Sequence, residues 1–204
     1  MMDYVTTLLT ISGALLLSVA SPGPNFVIVT STAASSRRAG IATGIGLAAA
    51  SGTWALIAIV GLGLIFSHVA WIDIALRVTG AAYLIWLGMK MILTARRPLP
   101  VRDKAATSDW RAARNGFLVS MTNPKSIAFY GSIFALLVPP HAPMWFATAV
   151  VGIAVSISCG WYCGLALLAS HPKVSRTLAR RKAALDTTAG VALVAIGSRM
   201  LVTR

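Results

Sequence analysis

The chain has 204 residues, of which 57% are hydrophobic and 11% charged, with a mean hydropathy of +0.78. A soluble domain carries roughly 25% charged residues, so this one lacks the polar material to cover a water-facing surface. Its length allows a single domain over residues 1–204. Eighteen Lys and Arg against five acids, all of them Asp, give +13 at pH 7. Such a charge invites a polyanion reading, but the cations cluster between long apolar runs, which disfavours nucleic acid and fits the loops of a membrane protein.

Six apolar runs, at residues 6–29, 41–66, 72–94, 115–138, 144–168 and 183–202, are long enough to cross a bilayer, which takes about 20 residues. In lipid every backbone polar group needs an internal partner, so these runs are predicted to be helices. Val19-Ala20-Ser21 in the first run resembles a signal-peptide cleavage site, yet no cation precedes Arg37, so the first helix is expected to stay attached. The cations then set orientation. Fourteen of the eighteen, counting Lys90 near the end of the third run, belong to the segments that follow the first, third and fifth runs, which places those loops in the cytoplasm and both termini outside it. Trp71 and Trp145 open runs on the outer side, where an aromatic belt is expected. The basic loops call for no partner beyond anionic lipid headgroups.

The two halves of the chain echo each other. Thr122-Asn123-Pro124-Lys125-Ser126 in the fourth run answers Ala20-Ser21-Pro22-Gly23-Pro24-Asn25 in the first, with Pro124 set against Pro22. Ser51-Gly52-Thr53-Trp54 loosely matches Ser158-Cys159-Gly160-Trp161, and Gly88 to Thr94 answers Gly197 to Thr203. The expected fold is therefore all-α: six transmembrane helices built as two three-helix repeats, about 1–96 and about 112–204, joined by a basic cytoplasmic linker over about 96–114. Three is odd, so the second repeat is inverted. Paired Pro/Gly interruptions in inverted repeats point to the midplane site of a secondary transporter. Pro22, Pro24 and Pro124 remove backbone donors and break helices one and four, and a segment restarting there aims free N–H groups at an anion.

Lys125 lies deep in the fourth run, roughly 15 Å along the helix. A lysine there costs about 2.5–3.5 kcal/mol on insertion scales, and no acid lies at comparable depth, so it is read as the counter-charge for a substrate carboxylate. Ser21, Asn25 and Asn123 flank the breaks and can bond a ligand or freed backbone groups. Gly23 offers close backbone approach and a φ that the break can use. Asp73 and Asp186 are placed in the first turns of the third and sixth runs, where a negative charge suits the dipole; Asp186 is also the candidate coupling residue. Gly40/Gly44, Ala48/Gly52 and Gly160/Gly164 are small-xxx-small pairs that read as close helix packing. Cys159 and Cys163 read as small core residues, and His68, His141 and His171 as interface positions.

Ser21-Pro22-Gly23-Pro24-Asn25, Arg38-Ala39-Gly40 with Gly44 and Gly46, Gly80 to Gly88, and Gly116-Phe117 with Asn123-Pro124-Lys125 together resemble the LysE/RhtB family of bacterial amino-acid exporters. The resemblance runs in the right order over nearly the whole chain. It implies a six-helix inner-membrane exporter of an amino acid or small derivative, with a binding site around Ser21, Pro22, Gly23, Pro24, Asn25, Ser51, Asn123, Pro124 and Lys125. Many members carry an acidic residue at the place of Ser51, so this chain departs from them in having no carboxylate at that position for an ammonium or for proton coupling. No Gly-x-x-x-x-Gly-Lys loop is present, so the expected driving force is the proton gradient, with no cofactor and with self-association left open. Two alternatives stay open: a transmembrane thiol electron carrier, disfavoured because Ser, Gly, Asn and Lys stand at the breaks, and a metal-ion exporter, disfavoured because the runs lack ligand clusters.

Overall fold

A computed structural model describes residues 4–66, 71–96, 108–139 and 142–202. Eight helices and no strand occur among these residues: α1 (Tyr4–Ala20), α2 (Pro24–Ser35), α3 (Arg37–Phe66), α4 (Trp71–Thr94), α5 (Asp109–Met121), α6 (Pro124–Leu137), α7 (Met144–Ala169) and α8 (Pro172–Val202). The first apolar run is α1 plus α2, with a 56° bend between them. The fourth is α5 plus α6. Residues 37–61 of α3 and all of α7 are long and apolar enough to cross a membrane, and α1 with α2 qualifies as one broken span. The chain is a multi-pass membrane protein by that measure.

Both breaks restart on proline at the first helical position, Pro24 in α2 and Pro124 in α6. A proline there forfeits a donor the helix would not have used, and its fixed φ suits the first turn. Pro24 and Pro124 thus hold the same position in their helices. Pro22 lies buried inside the break.

Except for α7, which starts with its run at Met144, the described helices that open each span begin earlier than the apolar runs. Helix α8 starts at Pro172, so the basic residues Lys173 to Lys182 are helical rather than loop, and Asp186 sits near the middle of a 31-residue helix instead of in its first turn. Asp73 does fall in the first turn of α4. Helix α3 opens on Arg37 and Arg38, and Arg38 pairs with Asp109 in the first turn of α5. Most of the linker, including Arg102 and Lys104, lies outside the described residues, as do His68 and His141.

Close packing follows the small residues on α3 but not on α7. A Cβ on Gly40, Gly44 or Gly52 would press on Ala33, Cys163 or Val155, and one on Gly46 would collide with the Ala113 carbonyl of α5. Gly160 and Gly164 have nothing within 4 Å, so they do not serve a tight crossing. Helices α4 and α8 also meet on glycine: a Cβ on Gly88 would strike the Gly190 carbonyl, and one on Gly197 the Ala81 carbonyl. One apolar cluster gathers Ile11, Leu15, Phe129, Phe134, Phe146 and Val150. A second gathers Val19, Phe26, Val29, Leu47 and Leu165.

Candidate functional site

The breaks meet in a small polar cavity, about 20 Å³, lined by residues of α1, α2, α3, α6 and α7 together with the two breaks. That volume holds about one water molecule. Of the expected site residues, Ser21, Gly23, Asn25, Ser51, Asn123 and Lys125 line it. The prolines do not; they shape the breaks. Leu15, Ser18, Ser126, Tyr130 and Tyr162 line it as well, without having stood out in the sequence.

Lys125 is the second residue of α6, and its backbone N–H donates to the side-chain oxygen of Asn123, the N-cap, at 3.0 Å. This is the short-range bond by which Asn satisfies one orphan donor of a helix start. The Lys125 ammonium reaches across to α1. It donates to the carbonyls of Ser18, at 2.8 Å, and Ser21, at 3.1 Å, and to the Ser21 hydroxyl. These carbonyls belong to the C-terminal end of a helix, where the dipole is negative and the last carbonyls lack intrahelical partners. Backbone carbonyls at the end of α1 are thus partners of this half-buried lysine that the sequence did not reveal. The Lys125 side chain passes Gly23, whose Cβ position would lie 3.9 Å from Cδ. Gly23 itself has φ −173° and ψ −167°. This is extended backbone that any residue adopts, so the break does not need glycine for its φ.

A chain of amides joins the two breaks. The Asn123 amide donates to the Asn25 side-chain oxygen at 3.1 Å, and the Asn25 amide donates at 3.3 Å to both the Ser120 hydroxyl and the Tyr162 hydroxyl. Trp54 of α3 donates its indole N–H to the Ser120 carbonyl, in the last turn of α5, at 3.3 Å. Ser51 and Ser158 are hydrogen-bonded directly, with Ser158 donating at 2.8 Å, and Ser51 in turn donates to the Leu47 carbonyl at 3.2 Å. Their matched places in the two halves were the one sequence signal that could have found Ser158. Tyr130, Tyr162 and Ser120 had none, because a tyrosine or serine on an apolar helix reads like any other core position.

Among the described residues no Asp or Glu lines the cavity. The arrangement thus offers one ammonium, several neutral donors and acceptors, and the negative end of α1, which suits a small zwitterion better than a metal ion. Cys159 and Cys163 lie 3.9 Å apart on α7 and do not line the cavity. Nothing in this arrangement supports a thiol carrier, and among the described residues no three of His, Cys, Asp and Glu gather into a metal-binding group.

Comparison with known proteins agrees with this chemistry. The chain is 29% identical to the threonine efflux protein of Escherichia coli over 203 residues, covering 96% of this chain and 98% of that protein. It is likewise 29% identical to the threonine efflux protein of Salmonella typhimurium over 197 residues, covering 93% and 94%. The homoserine/homoserine lactone efflux protein of Salmonella typhi is 31% identical over 139 residues, 67% of each chain. No solved structure matches significantly. The model of the LysE type translocator family matches residues 15–204, a span that contains both breaks and every residue of the cavity, and the chain belongs to that family.

Proposed function

We propose that this protein is a secondary active exporter of small amino acids or their derivatives in the bacterial inner membrane, driven by the proton gradient. The relatives are amino-acid efflux proteins by name, and the cavity has the chemistry for a zwitterion. The observation that carries the reading is the Lys125 ammonium, held in a cavity between two helix breaks by the backbone oxygens of Ser18 and Ser21.

A substrate that enters offers a carboxylate and an ammonium together. Lys125 turns to the carboxylate, and the substrate ammonium takes over the α1 carbonyls that Lys125 releases. The exchange keeps each charge paired, which matters because an unpaired charge in a low-dielectric interior is expensive. Pro22, Pro24 and Pro124 keep the breaks in place, and Ser21, Gly23, Asn25, Ser51 and Asn123 form the wall. A cavity of about 20 Å³ is far too small for an amino acid, so this is a closed arrangement. Loading requires α1 and α2 to part from α5 and α6. Asp186, on α8, is the candidate for proton coupling.

In this reading the chain crosses the membrane six times as two inverted three-helix repeats, with both termini outside the cytoplasm and the basic segments facing anionic lipid within. Two features support the repeat. Gly88 against Gly190 and Gly197 against Ala81 are the same contact once the halves are exchanged at a constant offset, and the Ser51–Ser158 bond joins matched positions. The test is accumulation of a panel of amino acids in cells with and without the gene, with a protonophore control. Accumulation of at least one panel member on deletion, and loss of its export with the protonophore, is expected. Equal intracellular levels across the panel would overturn the reading.

A further inference from the structure

The hydroxyl of Tyr130 is buried and, among the described residues, is the buried side-chain polar atom without a hydrogen-bond partner. Tyr130 is 4% exposed and lines the cavity. Ser51 and Ser158 are its polar neighbours, but neither meets it with hydrogen-bond geometry, and their own protons go to Leu47 and to Ser51. Most of the remaining polar wall is satisfied within itself: Asn123 and Asn25 bond each other, Ser120 and Tyr162, and Lys125 bonds the end of α1. Buried polar groups are paired in the great majority of native proteins, so a phenol left open in a polar cavity points to a partner from outside the fold. The ring is fixed for that purpose, packed edge-on against Phe129 at 5.6 Å and tilted against Phe134 at 5.5 Å between centroids.

Position decides which part of a substrate it meets. Tyr130 is five residues beyond Lys125 on α6, about 7.5 Å along the axis, and both line the cavity, so a ligand whose carboxylate is at Lys125 shares the cavity with the phenol. Among the described residues no carboxylate lines the cavity to balance a cationic side chain. A phenol and a serine each donate and accept one bond or more, and a neutral hydroxyl does the same. We propose that Tyr130, backed by the Ser51–Ser158 pair, is the subsite that hydrogen-bonds the side-chain hydroxyl of a short hydroxy amino acid. This deepens the export reading and rests on it.

The experiment compares uptake of threonine, homoserine and 2-aminobutyrate, which lacks the hydroxyl of both, by everted vesicles or proteoliposomes holding the full chain. Tyr130→Phe keeps the ring packing and removes only the hydroxyl. The expected result is preference for the hydroxy amino acids in the wild type, a loss of about tenfold for them in Tyr130→Phe, and no change for 2-aminobutyrate beyond about twofold. Ser51→Ala, which removes the supporting hydroxyl, is expected to shift the same ratio in the same direction and serves if Tyr130→Phe does not accumulate. Equal loss for all three substrates, an unchanged ratio, or a wild type without preference would overturn the hydroxyl subsite and leave amino-acid export standing. A wild type that carries none of the three would overturn the hydroxyl subsite, and the amino-acid panel then decides whether the export reading stands.

Discussion

The two breaks occupy similar places in the two halves of the chain and are built differently. Between α1 and α2 the chain runs extended through Gly23, and no side chain caps the new helix. Between α5 and α6 Asn123 caps the restart with its own side chain. Their outgoing ends differ as well. The last carbonyls of α1 are held by a charged group, the Lys125 ammonium, whereas the Ser120 carbonyl of α5 is held by a neutral one, the Trp54 indole. A break whose carbonyls depend on a cation contributed by the other break can be opened by anything that draws the cation away. A break capped by its own residues cannot. The first break is therefore the adjustable one, and the second is the frame from which Lys125 acts.

The contrast is sharpest at Lys125. Replacing it by Met removes the cap on α1 and the carboxylate partner at once, and export per inserted molecule is expected to fall on the order of 100-fold, measured as efflux normalised to membrane abundance. Normal efflux from that variant would sink both roles. Asn123→Ala strips the cap from α6 and the bond to Asn25, with an expected loss of about 2 kcal/mol seen as a lower unfolding temperature in detergent. Trp54→Phe removes only one neutral bond to the end of α5, so a loss of about 1 kcal/mol is expected in the same assay. If Trp54→Phe abolished export as completely as Lys125→Met, the two breaks would be equivalent and the comparison would fail. Gly23→Ala is expected to change stability by less than about 0.5 kcal/mol, because φ is ordinary there and the added Cβ meets Lys125 at van der Waals distance. A thermal melt would show a large drop if the first break were rigidly fitted to glycine.

Much of the site was legible because its signals are local. Proline and glycine on apolar runs mark breaks whatever surrounds them, and a lysine among apolar residues announces a cost that something must offset. Ser21, Asn25 and Asn123 could be named from their places beside those breaks. What offsets the lysine was not legible. Backbone carbonyls look alike in every sequence, and only the approach of α6 to the end of α1 turns two of them into a cation site. Helix starts were misjudged for a related reason. Charged residues such as Lys173 and Asp109 end an apolar run without ending a helix, since backbone hydrogen bonding continues into water where hydropathy stops. Gly160 and Gly164 carry the same small-xxx-small signature as Gly40 and Gly44, and only packing separates them: the first pair has no close neighbour, and the second is pressed against Ala33 and Cys163.

The sequence by itself determined that this protein is helical and lives in a membrane, because a chain so poor in charge cannot face water and an apolar backbone in lipid must pair with itself. It also determined where two helices break, because proline cannot take part in a continuous ladder. Only the tertiary structure decided what the breaks pack against. Hydrogen bonds between Lys125 and α1, between Asn25 and Asn123, and between Ser51 and Ser158 span 107, 98 and 107 positions of the chain. Partners so distant meet only once the helices have packed.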